Sequence, residues 1–350
     1  MKKKNRGFFF LLVTGLFLIL TLITFLGAIA PWVDVNVLPA IQLIPSFLTF
    51  FLPVFILTFF YYFKKSVRWM AVSLAAIFCC IWVAGKDVVF RNQSTSKSDG
   101  LKIASFNVGT FDFNPEKIDT VAALIRIMNP DVISLQEFRN HKLDGDVYSL
   151  DYLKKKLEMP FAAFVHLPIH IHGAVLFSRY PIVAIDTLFL PQREINSGIL
   201  ATIETPMGKI GVGNVHLSSF QASQTLDENE KVKDKFQAIL DRVKIVLPLQ
   251  QEKVDLVLEK TRQYPYPLVI AGDFNSSPHT RIGYQFRRRF KDSFAEAGKG
   301  LGWTYPLAGP VGLRIDYQYF TNELHAVNHK IFTSRVSDHF PIQATYHLVP

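Results

Sequence analysis

Three long apolar stretches open the chain, and short apolar and amphipathic segments alternate through the rest. Gly7–Ala30 lies in a run without charge between Arg6 and Asp34, Ala40–Phe63 is almost as apolar, and Trp69–Gly85 is a third run that Val88–Phe90 extends. The first two are long enough to cross a hydrocarbon core of about 30 Å as helices, and the third reaches that length with its extension. The pattern predicts a helical transmembrane region over residues 1–90, with about three spans near 7–30, 40–63 and 69–88. A cleaved signal peptide competes for the first run, because MKKKNR is a positive leader and Gly27–Ala30 (GAIA) resembles a cleavage site. The length of the run, the Pro31 that would follow the cut and the two further runs favour a retained anchor.

Beyond the polar segment 91–100 (RNQSTSKSDG), which reads as a linker, the pattern becomes regular. Strands are predicted at Leu101–Val108, Asp131–Gln136, Ala174–Ser178, Ala184–Phe189, Leu200–Glu204, Lys209–Leu217, Leu268–Ala271, Ile315–Phe320 and Gln343–His347. Helical spacing covers Glu116–Met128, Tyr148–Leu157, a long charged region Leu226–Lys260 interrupted at Pro248, and Tyr284–Ala297. Strands in pairs alternating with helices predict a mixed α/β architecture over residues 101–350, not a regular βαβ array.

Charge changes this picture in two ways. Lys2, Lys3, Lys4 and Arg6 precede the first run, Lys64, Lys65 and Arg68 separate the second from the third, and Pro31–Leu38 carries only Asp34. The positive-inside bias then sets the N-terminus in the cytoplasm and everything after the third run outside it, as an integral protein of the inner or plasma membrane. Of the 38 basic and 29 acidic side chains, residues 1–85 hold seven and one, leaving 31 and 28, a net of only +3. The outer part therefore lacks the basic excess of a protein that grips many phosphates. Arg287–Arg289 with Lys291 is a local exception that reads as a solvated helix face. Both cysteines, Cys79 and Cys80, fall in the third apolar run, so the outer part has no disulfide framework and no cysteine metal site.

The chemistry is concentrated where strands end. In LVIAGDFNSSPHT (Leu268–Thr280) an apolar run breaks at Gly272 and presents Asp273 and Asn275, two residues apart and so directed alike. Such a pair caps turns as readily as it serves a reaction. The same ending recurs, however: Leu101–Asn107 closes on Asn107, Asp131–Glu137 on Glu137, Ile210–His216 on His216, RIDYQYF carries Asp316, and Ser337–His339 (SDH) precedes the final strand. Turn caps need not draw repeatedly on acid–base and metal-ligand types, and strand ends of this kind converge polar groups on one edge of a sheet sandwich.

The ordered set SFN, LQE, NVHL, GDFN, RIDY and SDH resembles the endonuclease/exonuclease/phosphatase superfamily, the DNase I-like fold, from about Leu101 to the C-terminus. The resemblance implies a four-layered α/β sandwich with the site at one end and a metal-dependent phosphoric ester hydrolase cutting nucleic acid, a phospholipid head group or a small phosphodiester. It implies Mg²⁺, or Mn²⁺ in its place, held chiefly by Glu137 with Asn107 and Asp338 completing or supporting the site, in keeping with the preference for few, hard oxygen ligands. It casts Asp273 as the group that orients or deprotonates the attacking water, Asn275 as a holder of a phosphoryl oxygen, and His339 as a charge stabiliser or proton carrier. Asp316 would fix the His339 tautomer, and His216 would help protonate the leaving group. His170 and His172 alternate in IHIH and could contact substrate, although a solvated strand face accounts for them equally well. The membrane lipid bilayer is the other expected partner. The competing function class is a non-catalytic membrane-anchored binding module on the same fold, whose signature, a missing catalytic side chain, is absent from the six motifs.

Overall fold

The computed structural model describes residues 2–63, 66–90, 99–114, 116–142, 149–164, 172–190, 196–220, 232–307 and 312–349. The expected linker at 91–98, the basic pair at 64–65, His170 and the start of the long charged region at 226–231 lie outside the described residues.

The first apolar run is one helix, α1 (Lys2–Ile29), followed by a short 3₁₀ turn at Ala30–Trp32. The second run is not a single helix. It follows a 3₁₀ path over Pro39–Phe51 and becomes α2 (Leu52–Tyr62) only afterwards. Proline explains the break: Pro39, Pro45 and Pro53 lack the N–H that a continuous helix needs, and Pro53 is tolerated because it sits in the first turn of α2. The 11 residues of α2 reach about 17 Å at 1.5 Å per residue, about half of a hydrocarbon core. The third run forms α3 (Val67–Ala84). The expectation of three spans is therefore corrected: among the described residues one helix, Thr14–Trp32, is long and apolar enough to cross a membrane, and the apolar helices Leu52–Tyr62 and Val67–Val83 are shorter. The three helices share a small core of Phe17, Phe55, Tyr62, Ala76 and Cys80. The strand β1 (Val88–Val89) follows α3.

The remainder runs β2 (Leu101–Asn107), α4 (Glu116–Met128), β3 (Val132–Arg139), α5 (Ser149–Leu157), β4 (Phe161–Phe164), β5 (His172–Ser178), β6 (Ile182–Phe189), β7 (Gly198–Thr205) and β8 (Gly208–His216). It continues through α6 (Val232–Lys260), β9 (Leu268–Asp273), α7 (Arg281–Arg287), β10 (Lys291–Asp292), α8 (Ser293–Ala297), β11 (Gly300–Leu301), β12 (Tyr305–Pro306), β13 (Gly312–Leu313), β14 (Asp316–Phe320), β15 (Leu324–Ile331) and β16 (Ile342–Leu348). Two six-stranded sheets, ordered β10-β14-β9-β8-β7-β6 and β15-β16-β2-β3-β5-β4, carry the domain. Ile103, Val132, Ile203, Val212, Val269 and Phe320 fill the seam between them. On one outer face Phe106 and Ile133 pack under α4 and α5, and on the other Val215 and Ile270 pack under α6 and α7. The result is the expected sandwich of two sheets between helices, produced by alternation along the strands.

Three further differences separate the structure from the sequence expectation. The helix α6 continues through Pro248, because Val243 and Leu247 bury the first half against Val35 and Leu43 while Val254 and Val257 bury the second against the sheet, outweighing one lost hydrogen bond. The helix expected over Tyr284–Ala297 is split in two, since Lys291 and Asp292 pair with Phe320 and Tyr319 of β14. Asp292 then caps α8 by accepting from the backbone N–H groups of Phe294 and Ala295. The strands β4 and β15 have no counterpart in the sequence reading.

Candidate active site

Alternation that buries Leu101 and Ile103 between the sheets also carries Ser105 and Asn107 to the same face, so the polar end of β2 lies on the inner edge. The same rule acts on β8, where Ile210 and Val212 are followed by Asn214 and His216, and on β9, where Val269 and Ala271 precede Asp273. Register completes the alignment: Asp273 stands opposite both Asp316 of β14 and His216 of β8. Gly272 permits this close pairing, because a Cβ there would lie 1.9 Å from the Val215 carbonyl oxygen and its φ is +148°.

Asp273 is the hub. Its Oδ2 accepts from Asn107 Nδ2 at 3.0 Å and Asn275 Nδ2 at 3.2 Å, and its Oδ1 accepts from the Asn275 backbone N–H at 2.8 Å. His216 Nε2 and His339 Nε2 each lie 3.7 Å from Asp273 Oδ2. On the far side of its ring, His339 Nδ1 donates to Asp316 Oδ2 at 3.0 Å. Asn275 sits at φ +47°, held there by its bonds to Asp273 and by Nδ2 donating to the Leu217 carbonyl at 2.9 Å. The turn-capping reading of GDFN is thus realised, and Asp273 in addition lies beside His216 and His339.

Glu137 arrives by a different route. Alternation would direct it away from the inner edge, but β3 bulges between Leu135 and Phe138, and Glu137 takes a left-handed φ of +51°. The bulge turns its carboxylate toward the site, where Oε1 accepts from Asn107 Nδ2 at 3.2 Å and lies 3.7 Å from His216 Nε2. A non-glycine residue in this conformation is costly, and such strain concentrates at functional sites.

Burial and charge set the protonation states. Burial works against the charged form of His339, but the Asp316 and Asp273 carboxylates outweigh it and push the ring up to about 10, so it is a cation at neutral pH. Burial drives His216 the other way, down to about 4, and both its ring nitrogens are buried without a hydrogen-bond partner. Burial raises Asp273, with the Asp316 charge adding and the His339 charge opposing. Burial also raises Glu137, and the neighbouring Asp338 carboxylate adds to it.

Residues 104–339 match the Endonuclease/Exonuclease/phosphatase family. The chain belongs to this family. Solved structures similar to it include the endonuclease/exonuclease/phosphatase of Beutenbergia cavernae, at 19% identity and TM-score 0.52, with 71% of each chain covered. The Bacteroides vulgatus endonuclease/exonuclease/phosphatase has 15% identity and TM-score 0.53, covering 72% of this chain and all of its own. D. rerio TDP2, solved with a single-strand DNA product, has 16% identity and TM-score 0.53, covering 71% of this chain and 100% of its own. At these identities the likeness is one of fold. No curated protein sequence matches the chain.

Family members act on phosphoesters with divalent metal ions, and the donor set here fits one. The charge of exposed Asp338 works against ionisation of Glu137, a repulsion that a hard cation held by the two would relieve. Asn107 supports the site: its Nδ2 holds Glu137 and Asp273, and its Oδ1 accepts from the Gly109 N–H at 3.0 Å. Asp273, Asp316 and His339 also offer ligand atoms within 4.8 Å of one another. Within that group His339 Nδ1 and Asp316 Oδ2 are hydrogen-bonded to each other. His172 stands opposite Arg139, two residues past Glu137 on β3, at the start of β5.

Several site residues escaped the sequence reading. Gln136 Nε2 donates to Asn214 Oδ1 at 2.7 Å, and Asn214 Nδ2 donates to the Leu135 and Val175 carbonyls, so this buried pair pins one sheet to the other beneath the site. Thr304 Oγ1 accepts from the Ile315 and Asp316 N–H groups, fixing the start of β14. Tyr305, which the aromatic GWTYP stretch already offers as a candidate wall of a substrate site, meets the His339 ring edge-on at 5.0 Å. Gln250 Nε2 donates to the Ser218 and Asn275 carbonyls from α6. Polar Gln136 and Asn214 inside apolar strands were the available signal.

Proposed function

We propose that the protein is a membrane-anchored, Mg²⁺-dependent phosphoesterase that hydrolyses a phosphodiester with an activated water. The observation that carries this reading is the convergence on Asp273 of two histidines in opposite protonation states, His216 neutral and His339 cationic. Asp273 accepts a proton from the attacking water, and its raised basicity suits that task. His339, oriented by Asp316, stabilises the phosphoryl charge and gives a proton to the leaving oxygen. His216 offers a neutral ring nitrogen to a phosphoryl or leaving oxygen, and Asn275 holds a second oxygen. Glu137 and Asp338, with Asn107 supporting, would hold a divalent cation, which would supply charge neutralisation to the phosphoryl group. The DNA product bound to D. rerio TDP2 supports a phosphoester substrate.

Residues 101–350 form the catalytic domain, residues 91–100 link it, and residues 1–90 anchor it. Anchoring is supported by α1, whose apolar part Thr14–Trp32 follows the basic residues Lys2–Arg6. One crossing with the basic end inside sets the catalytic domain on the extracytoplasmic side. The test is a panel of DNA, RNA, sphingomyelin, phosphatidylinositol phosphates and a bis-aryl phosphate, with Mg²⁺ or EDTA. Hydrolysis of at least one member is expected, abolished by EDTA and by His339→Ala. Failure of the wild type on every member, or full activity of His339→Ala, refutes the assignment.

A further inference from the structure

Among the described residues the helical region meets the catalytic domain at three seams, all near the catalytic edge. Directly after α3, Asp87 Oδ2 meets His279 Nε2 at 2.6 Å, four residues past Asn275. The Gly302 N–H donates to the Asp87 carbonyl at 2.7 Å, and Val88 and Val89 pair with Leu301 and Gly300. Buried Arg314, two residues before Asp316, donates from Nη1 to the Lys86 carbonyl at 3.0 Å. A second seam is built on Gln42. Its Nε2 donates to the Ala30 and Val33 carbonyls and its Oε1 accepts from the Arg281 N–H at 2.8 Å, at the first residue of α7. A third packs Val35 and Leu43 against Val243 and Leu247, one turn before the Gln250 that holds the Ser218 and Asn275 carbonyls.

A tether needs one attachment anywhere on the domain. Three seams, each within a few residues of a site residue, hold the catalytic edge at a set distance and tilt from the apolar helices. The surface between them has the composition of a membrane interface. Trp32, Val37 and Leu38, just past α1, are 57%, 70% and 51% exposed. The Trp32 ring packs at a tilt against Tyr284 of α7, centroids 5.8 Å apart, and exposed Arg288 lies 5.9 Å over that same tyrosine ring. Aromatic and apolar side chains backed by a cation belong at head-group level.

We propose that the substrate is a phosphoester carried in a lipid head group of the bilayer in which the helices sit. The proposal rests on the membrane-anchored phosphoesterase reading above and adds the substrate class to it. In the reaction the water oxygen forms a bond to phosphorus and the ester P–O bond breaks. The water proton passes to Asp273, and the leaving oxygen takes a proton from His339. Nucleic acid is disfavoured because the outer part carries a net of only +3 and no extended basic groove is needed to reach a phosphate presented by the bilayer.

The experiment uses the full-length protein reconstituted in phosphatidylcholine vesicles doped with sphingomyelin or a phosphatidylinositol phosphate. Its controls are water-soluble short-chain forms of the same lipids, single- and double-stranded DNA, and bis-p-nitrophenyl phosphate. Head-group release from the vesicles is expected to exceed that from the dissolved short-chain lipid by about tenfold or more at equal bulk concentration, the effect of a raised effective concentration. Val37→Asp combined with Leu38→Asp is expected to remove most of that advantage and to leave bis-p-nitrophenyl phosphate hydrolysis unchanged. Equal rates on dissolved and bilayer lipid, or a higher kcat/KM on DNA than on any vesicle lipid, overturn the substrate assignment while the phosphoesterase reading stands. Absence of hydrolysis on every substrate, the aryl diester included, overturns both.

Discussion

Asp273 gathers four polar residues, Asn107, Asn275, His216 and His339, around one carboxylate, so substitutions around it should separate by chemistry and not by distance. Glu137→Gln keeps shape and loses charge. Its activity should drop by about 10²–10⁴-fold and return in part when Mg²⁺ is raised, because weak cation binding can be driven by concentration. Asp273→Asn should lose as much and regain nothing in the same titration, since added metal cannot replace the proton acceptor. Equal rescue of both variants would contradict the division. Asp316→Asn probes the His339 proton. The Asp316 carboxylate is a principal reason that His339 stays charged up to about pH 10, so its removal should move the alkaline limb of the kcat/KM profile toward neutral pH. Combining Asp316→Asn with His339→Ala should be little worse than His339→Ala alone, because the two act as one unit.

At the scale of elements, strand β9 and the segment after α3 carry the most consequential constraints. Gly272→Ala introduces a Cβ 1.9 Å from the Val215 carbonyl oxygen at a φ of +148°. Its destabilisation should exceed the roughly 1–3 kcal/mol of a strained φ alone, read as a lowered denaturant midpoint. A fragment beginning at Gly100 contains all three core clusters of the sandwich and should fold as judged by circular dichroism. It lacks Asp87 and the Lys86 carbonyl, which leaves buried His279 and Arg314 without those partners. Its denaturant midpoint should therefore fall below that of a fragment beginning at Lys86. Equal midpoints would show that the segment is only draped on the domain.

For the whole molecule, buried histidines give stability a pH signature. Burial, with Arg314 adding, holds His329 down at about 3, and its Nδ1 pairs with Ser293 Oγ at 2.9 Å. The unfolded chain takes up that proton near pH 6.5 and the folded chain does not. Stability from this group is therefore full above about pH 6.5 and is lost toward pH 3, at up to about 1.4 kcal/mol per pH unit. The stability gap between wild type and His329→Asn should narrow accordingly on acidification, measured by denaturant titration at several pH values. A gap independent of pH would remove His329 as the cause. His339 works in the opposite window: its stabilisation is present below about pH 6.5 and is lost as pH rises toward about 10. On topology, a reporter fused at Pro350 should be active only outside the cytoplasm, and activity confined to the cytoplasm would reverse the orientation.

Period-two alternation determined much of this protein directly from its residues. It placed β2, β8 and β9 within one or two residues of their observed limits and carried Asn107, His216 and Asp273 to one buried edge, because a strand's facing depends only on local geometry. The strand-end motifs were legible for the same reason. Alternation failed for Glu137, whose direction is decided by a bulge that exists only when β3 is paired with β5. It could not show that Lys291 and Asp292 leave a helical pattern to pair with β14, since that pairing spans distant segments. Apolar length also misled: composition suited a second span, but the path of Pro39–Phe51 follows proline geometry and its packing on α1 and α6. The protonation states of His216 and His339, and the seams that fix the catalytic edge to the apolar helices, belong to the tertiary structure. They arise from burial and from charges contributed by segments far apart in the chain.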